Sequence, residues 1–193
     1  KENEYFIGID SDGCAFDTME IKHKECFAPN TIKYWNLQRV SKYGREAAEF
    51  VNLYSKWRGI NRFPALVNVL DLLDDRAECK ERGYEIPDIT PLRKWIQEED
   101  RLGNPALIEK VKQSDEPVFK QALDWSLKVN ETIADMVHGV PPFPYVEDSL
   151  KMANKKCDMI VVSATPCAAL NSEWGEHGID KYVNIIGGQE MGS

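Results

Sequence analysis

Tyr5-Phe-Ile-Gly-Ile-Asp-Ser-Asp-Gly13 is the stretch whose reading decides the fold. A short apolar run, Tyr5–Ile9, stops abruptly at two carboxylates and a glycine. It reads as a buried parallel strand that runs into a loop. Asp10 and Asp12 stand at i and i+2, so their side chains point to the same side. The carboxyl end of a parallel strand is where open α/β sheets place their ligands. Two acids this close repel each other unless a cation or a shared proton relieves them. Both remedies suit phosphoryl transfer.

Other readings of the acid pair are open to a check against the sequence. A calcium loop of the EF-hand kind also begins D-x-D, but it needs glycine at its sixth position and glutamate at its twelfth. Counted from Asp10, those positions hold Ala15 and Ile21, and the calcium reading fails. Taken alone, Asp-Ser-Asp-Gly reads more often as a plain turn. A second segment changes that balance. Met159-Ile-Val-Val162 runs directly into Ser163-Ala-Thr-Pro166. A hydroxyl at a strand end, followed by a helix N-terminus, makes a phosphate cradle. Thr165 before Pro166 reads as the helix cap, which leaves Ser163 as the better candidate ligand.

Between these segments the texture is helical. Glu46–Tyr54, Leu66–Leu73 and Pro117–Val137 repeat apolar residues at three and four. Thr90-Pro91 suggests an N-cap with proline at the first helical position, and Gly83 and Gly103 suggest helix ends. Pro141-Pro-Phe-Pro144 breaks the pattern. A helix at about 146–155, the strand Met159–Val162, a helix from Thr165-Pro166 to near Gly178 and a strand candidate Tyr182–Ile186 follow. Strand and helix alternate at both ends of the chain, which argues for an α/β fold with a parallel, Rossmann-like sheet. Residues 1–17 and 141–193 form the expected core. Residues 18–140 form an inserted all-helical second domain, reached through nearby linkers at Phe16–Thr18 and Gly139–Pro144.

The 193-residue chain is 42% hydrophobic and 29% charged, near globular averages. Its net charge of -8 disfavours nucleic acid and anionic membrane as partners. No apolar stretch reaches the length of a membrane span. Five cysteines, Cys14, Cys26, Cys79, Cys157 and Cys167, follow no framework spacing, which suits reduced thiols in a cytoplasm. His23 and Cys26 lie one turn apart and read as surface helix positions rather than a metal pair. His23, His138 and His177 have no catalytic partner visible in sequence.

Ile7-Gly-Ile-Asp-Ser-Asp-Gly13 with Phe16-Asp-Thr18 resembles the first motif of the haloacid dehalogenase superfamily. Met159-Ile-Val-Val-Ser163 resembles its second. Pro144-Tyr-Val-Glu147 and the stretch from Gly178-Ile-Asp-Lys-Tyr182 to Gly187-Gly188 look like its phosphoglycolate-phosphatase-like branch, whose helical, C1-type cap is inserted at the same place. The resemblance implies a magnesium-dependent phosphatase acting on a small phosphorylated metabolite. Asp10 would be the nucleophile that forms an aspartyl-phosphate. Asp12 would be the general acid and then the base. The Asp10 carboxylate and the Asp12 carbonyl would hold Mg²⁺. Ser163 and Ala164 would bind the transferred phosphate. Dehalogenases of the superfamily lack the second acid, so Asp12 points to phosphoester chemistry. A phosphomutase of the same superfamily is the alternative, and so is a non-catalytic binding protein.

Cys14 replaces the usual Thr or Val after the glycine and reads as a small packed residue. The superfamily's third and fourth motifs, a lysine and an acidic pair, normally follow the Gly187-Gly188 region, and the sequence stops at Ser193. A longer protein is therefore expected. In the insertion, Arg58, Asn61 and Arg62 of Trp57-Arg-Gly-Ile-Asn-Arg-Phe-Pro64 are the candidate contacts to an anionic substrate. The insertion is expected to close over the site and exclude water.

Overall fold

A computed structural model describes residues 3–191. In chain order the elements are β1 (Tyr5–Ile9), α1 (Met19–Ile21), α2 (Ala28–Tyr34), α3 (Ser41–Glu49), α4 (Arg62–Asp74), α5 (Ala77–Glu81) and α6 (Thr90–Glu98). Then come α7 (Asn104–Gln113), α8 (Pro117–Met136), α9 (Val146–Ala153), β2 (Cys157–Val162), α10 (Cys167–Glu176) and β3 (Ile185–Gly187). Two compact units result. One joins Lys1–Met19 to Val137–Ser193, and the other is Glu20–Met136.

The first unit carries a three-stranded parallel sheet in the order β1-β2-β3. Ile7 lies opposite Met159, Ile9 opposite Val161, and Val161 opposite Ile186. Because side chains alternate between faces, these residues share one face. They pack there with Leu150 of α9, Trp174 of α10 and Ile179. On the opposite face Phe6, Val162 and Ile185 are 61%, 49% and 50% exposed. The expectation of a buried β1 is therefore corrected. It is an edge strand, covered on one face and paired on one side with β2. The apolar run that mimics a doubly covered strand is instead half-exposed. The third strand is also shifted from the expected Tyr182–Ile186. Asp180–Tyr182 forms a 3-10 turn just after Gly178, which sits at φ +62°, and pairing starts only at Ile185.

The second unit contains helices and, among the described residues, no strand. π-helical turns at Lys22–Phe27 and Phe50–Tyr54 extend α1 and α3. The amphipathic helices bury Leu70, Leu73, Leu92, Leu107 and Trp125 in one cluster. Each fully buried side chain of this size contributes about 1.5–3 kcal/mol. Trp125 meets Phe27 and Phe63 edge-on, each at 6.2 Å, and its indole N–H donates to Thr31 Oγ1 at 3.1 Å. Two boundary expectations change. The N-cap of α6 is Ile89, so Thr90 is already the first helical residue and its amide donates to Asp88 Oδ1 at 2.9 Å. Gly103 opens α7 instead of ending α6, which stops earlier at Glu98. Gly83 does follow a helix end, at φ +66°.

Tyr84 carries a buried hydroxyl with no hydrogen-bond partner among the described residues. Burial pushes its phenol up from 10.0 to about 12. The folded state thus holds the proton longer than the unfolded chain does. The associated stability is present below the ordinary pKa and lost as pH rises through the folded one. Tyr84→Phe is expected to raise stability by about 1 kcal/mol at neutral pH, because an unpaired buried hydroxyl costs free energy. It should raise it further in alkali, where the native phenol must stay protonated. Urea unfolding at about pH 7 and about pH 11 measures both effects. Among the described residues, no helix is long and apolar enough to cross a membrane.

Candidate active site

Asp10 follows β1 and Ser163 follows β2, so both segments singled out in the sequence lie at the carboxyl ends of adjacent parallel strands. The turn between them and the rest of the unit is built around Ser11. The Ser11 carbonyl accepts the amides of Cys14, Ala15 and Phe16 at 3.3, 2.9 and 3.0 Å. Gly13 sits at φ +74°, a conformation costly for any residue with a Cβ. Its amide reaches the Phe16 carbonyl at 2.7 Å. The Ser11 amide donates to Asp10 Oδ1 at 2.8 Å, which fixes one carboxylate oxygen of an exposed side chain. Phe16 is fully buried and forms an antiparallel bridge with Pro142, while the Phe143 amide donates to the Ala15 carbonyl at 2.9 Å. The two expected linkers are therefore side by side.

Asp12 is the convergence point. Its Oδ1 accepts the Thr18 hydroxyl, and its Oδ2 accepts the Thr165 hydroxyl at 2.7 Å. Thr165 was expected to cap α10. No side chain caps that helix at its N-cap residue, Pro166, and the Thr165 hydroxyl is turned to Asp12 instead. Ser163 continues the sheet through its amide, which donates to the Gly187 carbonyl at 3.1 Å. Its hydroxyl accepts the Thr165 amide at 3.2 Å. A hydroxyl used this way keeps its own proton for a ligand. Ala164 is exposed in the bend between them.

The start of α10 is not an open cradle. The Cys167 amide donates to Glu190 Oε2 at 2.9 Å, and this bond holds the Glu190 carboxyl below its usual range. Cys167 Sγ accepts the Gly188 amide at 3.1 Å. Cys14, expected to be packed, is exposed on the Asp12–Phe16 turn.

The insertion candidates divide. Arg62 is pinned inside the helical unit, where Nη1 donates to the Ser126 carbonyl, Ser126 Oγ and Asn130 Oδ1 at 3.1, 3.0 and 2.7 Å. Its guanidinium lies over the Phe27 ring, and burial lowers its pKa to about 10. Asn61 caps α4 by accepting the Phe63 amide at 3.0 Å, and its Nδ2 donates to the Leu102 carbonyl at 3.0 Å. Asn61 and Arg62 thus direct these polar groups to partners within the helical unit. Arg58 is exposed. Cys26 is fully buried in the π-helical turn, not at the surface, and no group of three or more His, Cys, Asp or Glu among the described residues is placed to hold a metal ion.

Sequence reasoning named Asp10, Asp12 and Ser163 but assigned no role to Thr18, Glu173 or Trp174. Thr18 lies inside the quoted motif, so a signal was present. Glu173 and Trp174 sit in an ordinary amphipathic helix and carry none. No protein-family model matches this chain, and no curated protein does either. The chain is an α/β protein with Asp10 and Ser163 just past the ends of adjacent parallel strands and with the Thr18 and Thr165 hydroxyls bonded to Asp12.

Proposed function

We propose that this chain is a magnesium-dependent phosphatase of the haloacid dehalogenase type, with its helical unit as the cap, hydrolysing a small phosphorylated metabolite through an aspartyl-phosphate on Asp10. The observation that carries the reading is the double hold on Asp12. Thr18, from the first motif, and Thr165, beside the second, grip one carboxylate from two distant parts of the chain.

Asp10, whose Oδ1 accepts the Ser11 amide, attacks phosphorus through its carboxylate. The new O–P bond forms as the ester P–O bond breaks. Asp12 gives its proton to the departing alkoxide, then takes one from the water that attacks the aspartyl-phosphate. A general acid that becomes a base must be held in both protonation states. Threonine hydroxyls suit this task because each can donate or accept by rotating. Ser163 and the exposed backbone at Ala164 would receive the phosphate oxygens.

The donor set fits magnesium. An exposed carboxylate on Asp10 and the nearby Asp12 carbonyl are hard oxygen ligands, and magnesium commonly takes one or two carboxylates and completes its shell with water and substrate phosphate. Bound there, the ion would neutralise charge between the anionic nucleophile and the anionic phosphate.

The test is phosphate release from an aryl phosphate with Mg²⁺ and with chelator. Release that requires the metal supports the reading, and release indifferent to chelator counts against it. Thr165→Val adds a finer check. Losing one hydrogen bond to a charged group costs about 1.5 kcal/mol, so release should fall about tenfold while α10 keeps its helicity. Lost helicity with full activity would restore Thr165 to the role of a cap.

A further inference from the structure

We propose that Ser11, clamped by Glu173 and Trp174, is a positioning residue for both catalytic acids. The inference rests on the phosphatase reading of Asp10 and Asp12, and it assigns a task to a residue between them that the chemistry itself does not use.

Ser11 is fully buried, although serine is most often found at surfaces and turns. Every polar group it owns is engaged. Its hydroxyl donates to Glu173 Oε2 at 3.0 Å and accepts the Trp174 indole N–H at 3.0 Å. Its amide holds Asp10 Oδ1 at 2.8 Å, and its carbonyl gathers the amides of Cys14, Ala15 and Phe16. Trp174 is itself fully buried and meets Phe16 edge-on at 5.8 Å. Its ring therefore braces both ends of the Ser11–Phe16 turn.

Alternation along the chain explains the arrangement. Ile7 and Ile9 face the layer that contains Trp174, and Ser11, two residues further on, keeps to that side and meets α10. An apolar side chain there would fill the space but leave the turn free to shift. A hydroxyl held by two directional bonds from α10 fixes it in position and rotation. The helix that holds Ser11 begins just after Ser163 and Thr165. One rigid element thus sets the acid turn and the hydroxyl loop relative to each other. Positioning of this kind affects rate steeply, since a misplacement of about 1 Å can cost roughly a hundredfold.

The experiment uses the full chain with magnesium and an aryl phosphate, in four forms: wild type, Asp10→Asn, Ser11→Ala and Ser11→Thr. Rates are taken per folded protein, below each form's melting midpoint. Trp174 is followed by its indole resonance after ¹⁵N-tryptophan labelling, identified by its disappearance in Trp174→Phe. Ser11→Ala is expected to shift that resonance and to lower kcat roughly 10- to 100-fold, with KM changed less than about twofold. Ser11→Thr, which keeps the hydroxyl, should recover most of the rate. A shifted indole resonance with wild-type kcat in Ser11→Ala would overturn the proposal, because the clamp would then be structural only. So would an unshifted resonance. Equal release by wild type and Asp10→Asn would instead remove the phosphatase reading, and the positioning role with it, before any Ser11 variant is scored.

Discussion

Asp10→Asn is expected to abolish magnesium-dependent phosphate release, a loss of roughly a thousandfold or more. An amide oxygen is a poor nucleophile, and the covalent intermediate needs an O–P bond at this atom. The substitution is otherwise gentle. Asp10 is exposed, and the Ser11 amide that donates to its Oδ1 would find an equivalent acceptor in the asparagine oxygen. The variant should therefore melt with the wild type, and loss of activity would not reflect unfolding. Stopped-time phosphate assays alongside thermal unfolding make the measurement. A variant as active as wild type would remove Asp10 from the chemistry. A variant that is inactive but unfolded would contradict the exposed placement of the side chain.

Gly188→Ala is expected to cost about 3 kcal/mol of stability or more, from overpacking against backbone. A Cβ at this position would lie 2.6 Å from both the Cys167 nitrogen and the Thr165 carbonyl oxygen, and 2.9 Å from Cys167 Cα. These are main-chain atoms at the start of α10, so no rotamer change relieves the contact. The loop after β2 must move, and it carries Thr165, whose hydroxyl holds Asp12. Activity should fall with stability for that reason. Gly8→Ala provides the contrast, because a Cβ there meets nothing within 4 Å. Chemical unfolding of the two variants separates the explanations. A large loss at Gly188 and a small one at Gly8 supports the close backbone approach, and equal losses would mean that glycine is needed for something other than room.

Glycine 188 shows where legibility in the sequence ends. Gly187-Gly188 is visible as a strand end, but the closeness of its backbone to Thr165 and Cys167 is a contact between segments. The same division runs through the site. Asp10, Asp12 and Ser163 could be named because each follows an apolar run at once, and the strand's period of two fixes where neighbouring side chains point. The α10 stop near Gly178 could be named because a left-handed residue after the last turn is a local device.

What local rules left open was choice among partners. Thr165 had two acceptable uses, capping the helix or donating to a carboxylate, and the fold brought Asp12 within reach. Arg62 read as a candidate contact to an anionic substrate, and in the fold its guanidinium meets three neutral acceptors on α8. β1 read as buried because an apolar run does not record how many neighbours a strand has. By itself the sequence determined the helical and extended segments, the parallel α/β class and the position of the acids, since these follow from periodicity and turn chemistry within a few residues. Only the tertiary structure decided which hydroxyls hold Asp12, what clamps Ser11 and which arginine is withdrawn into the helices. Those bonds join residues as many as 163 positions apart, and their energy depends on distance in space rather than along the chain.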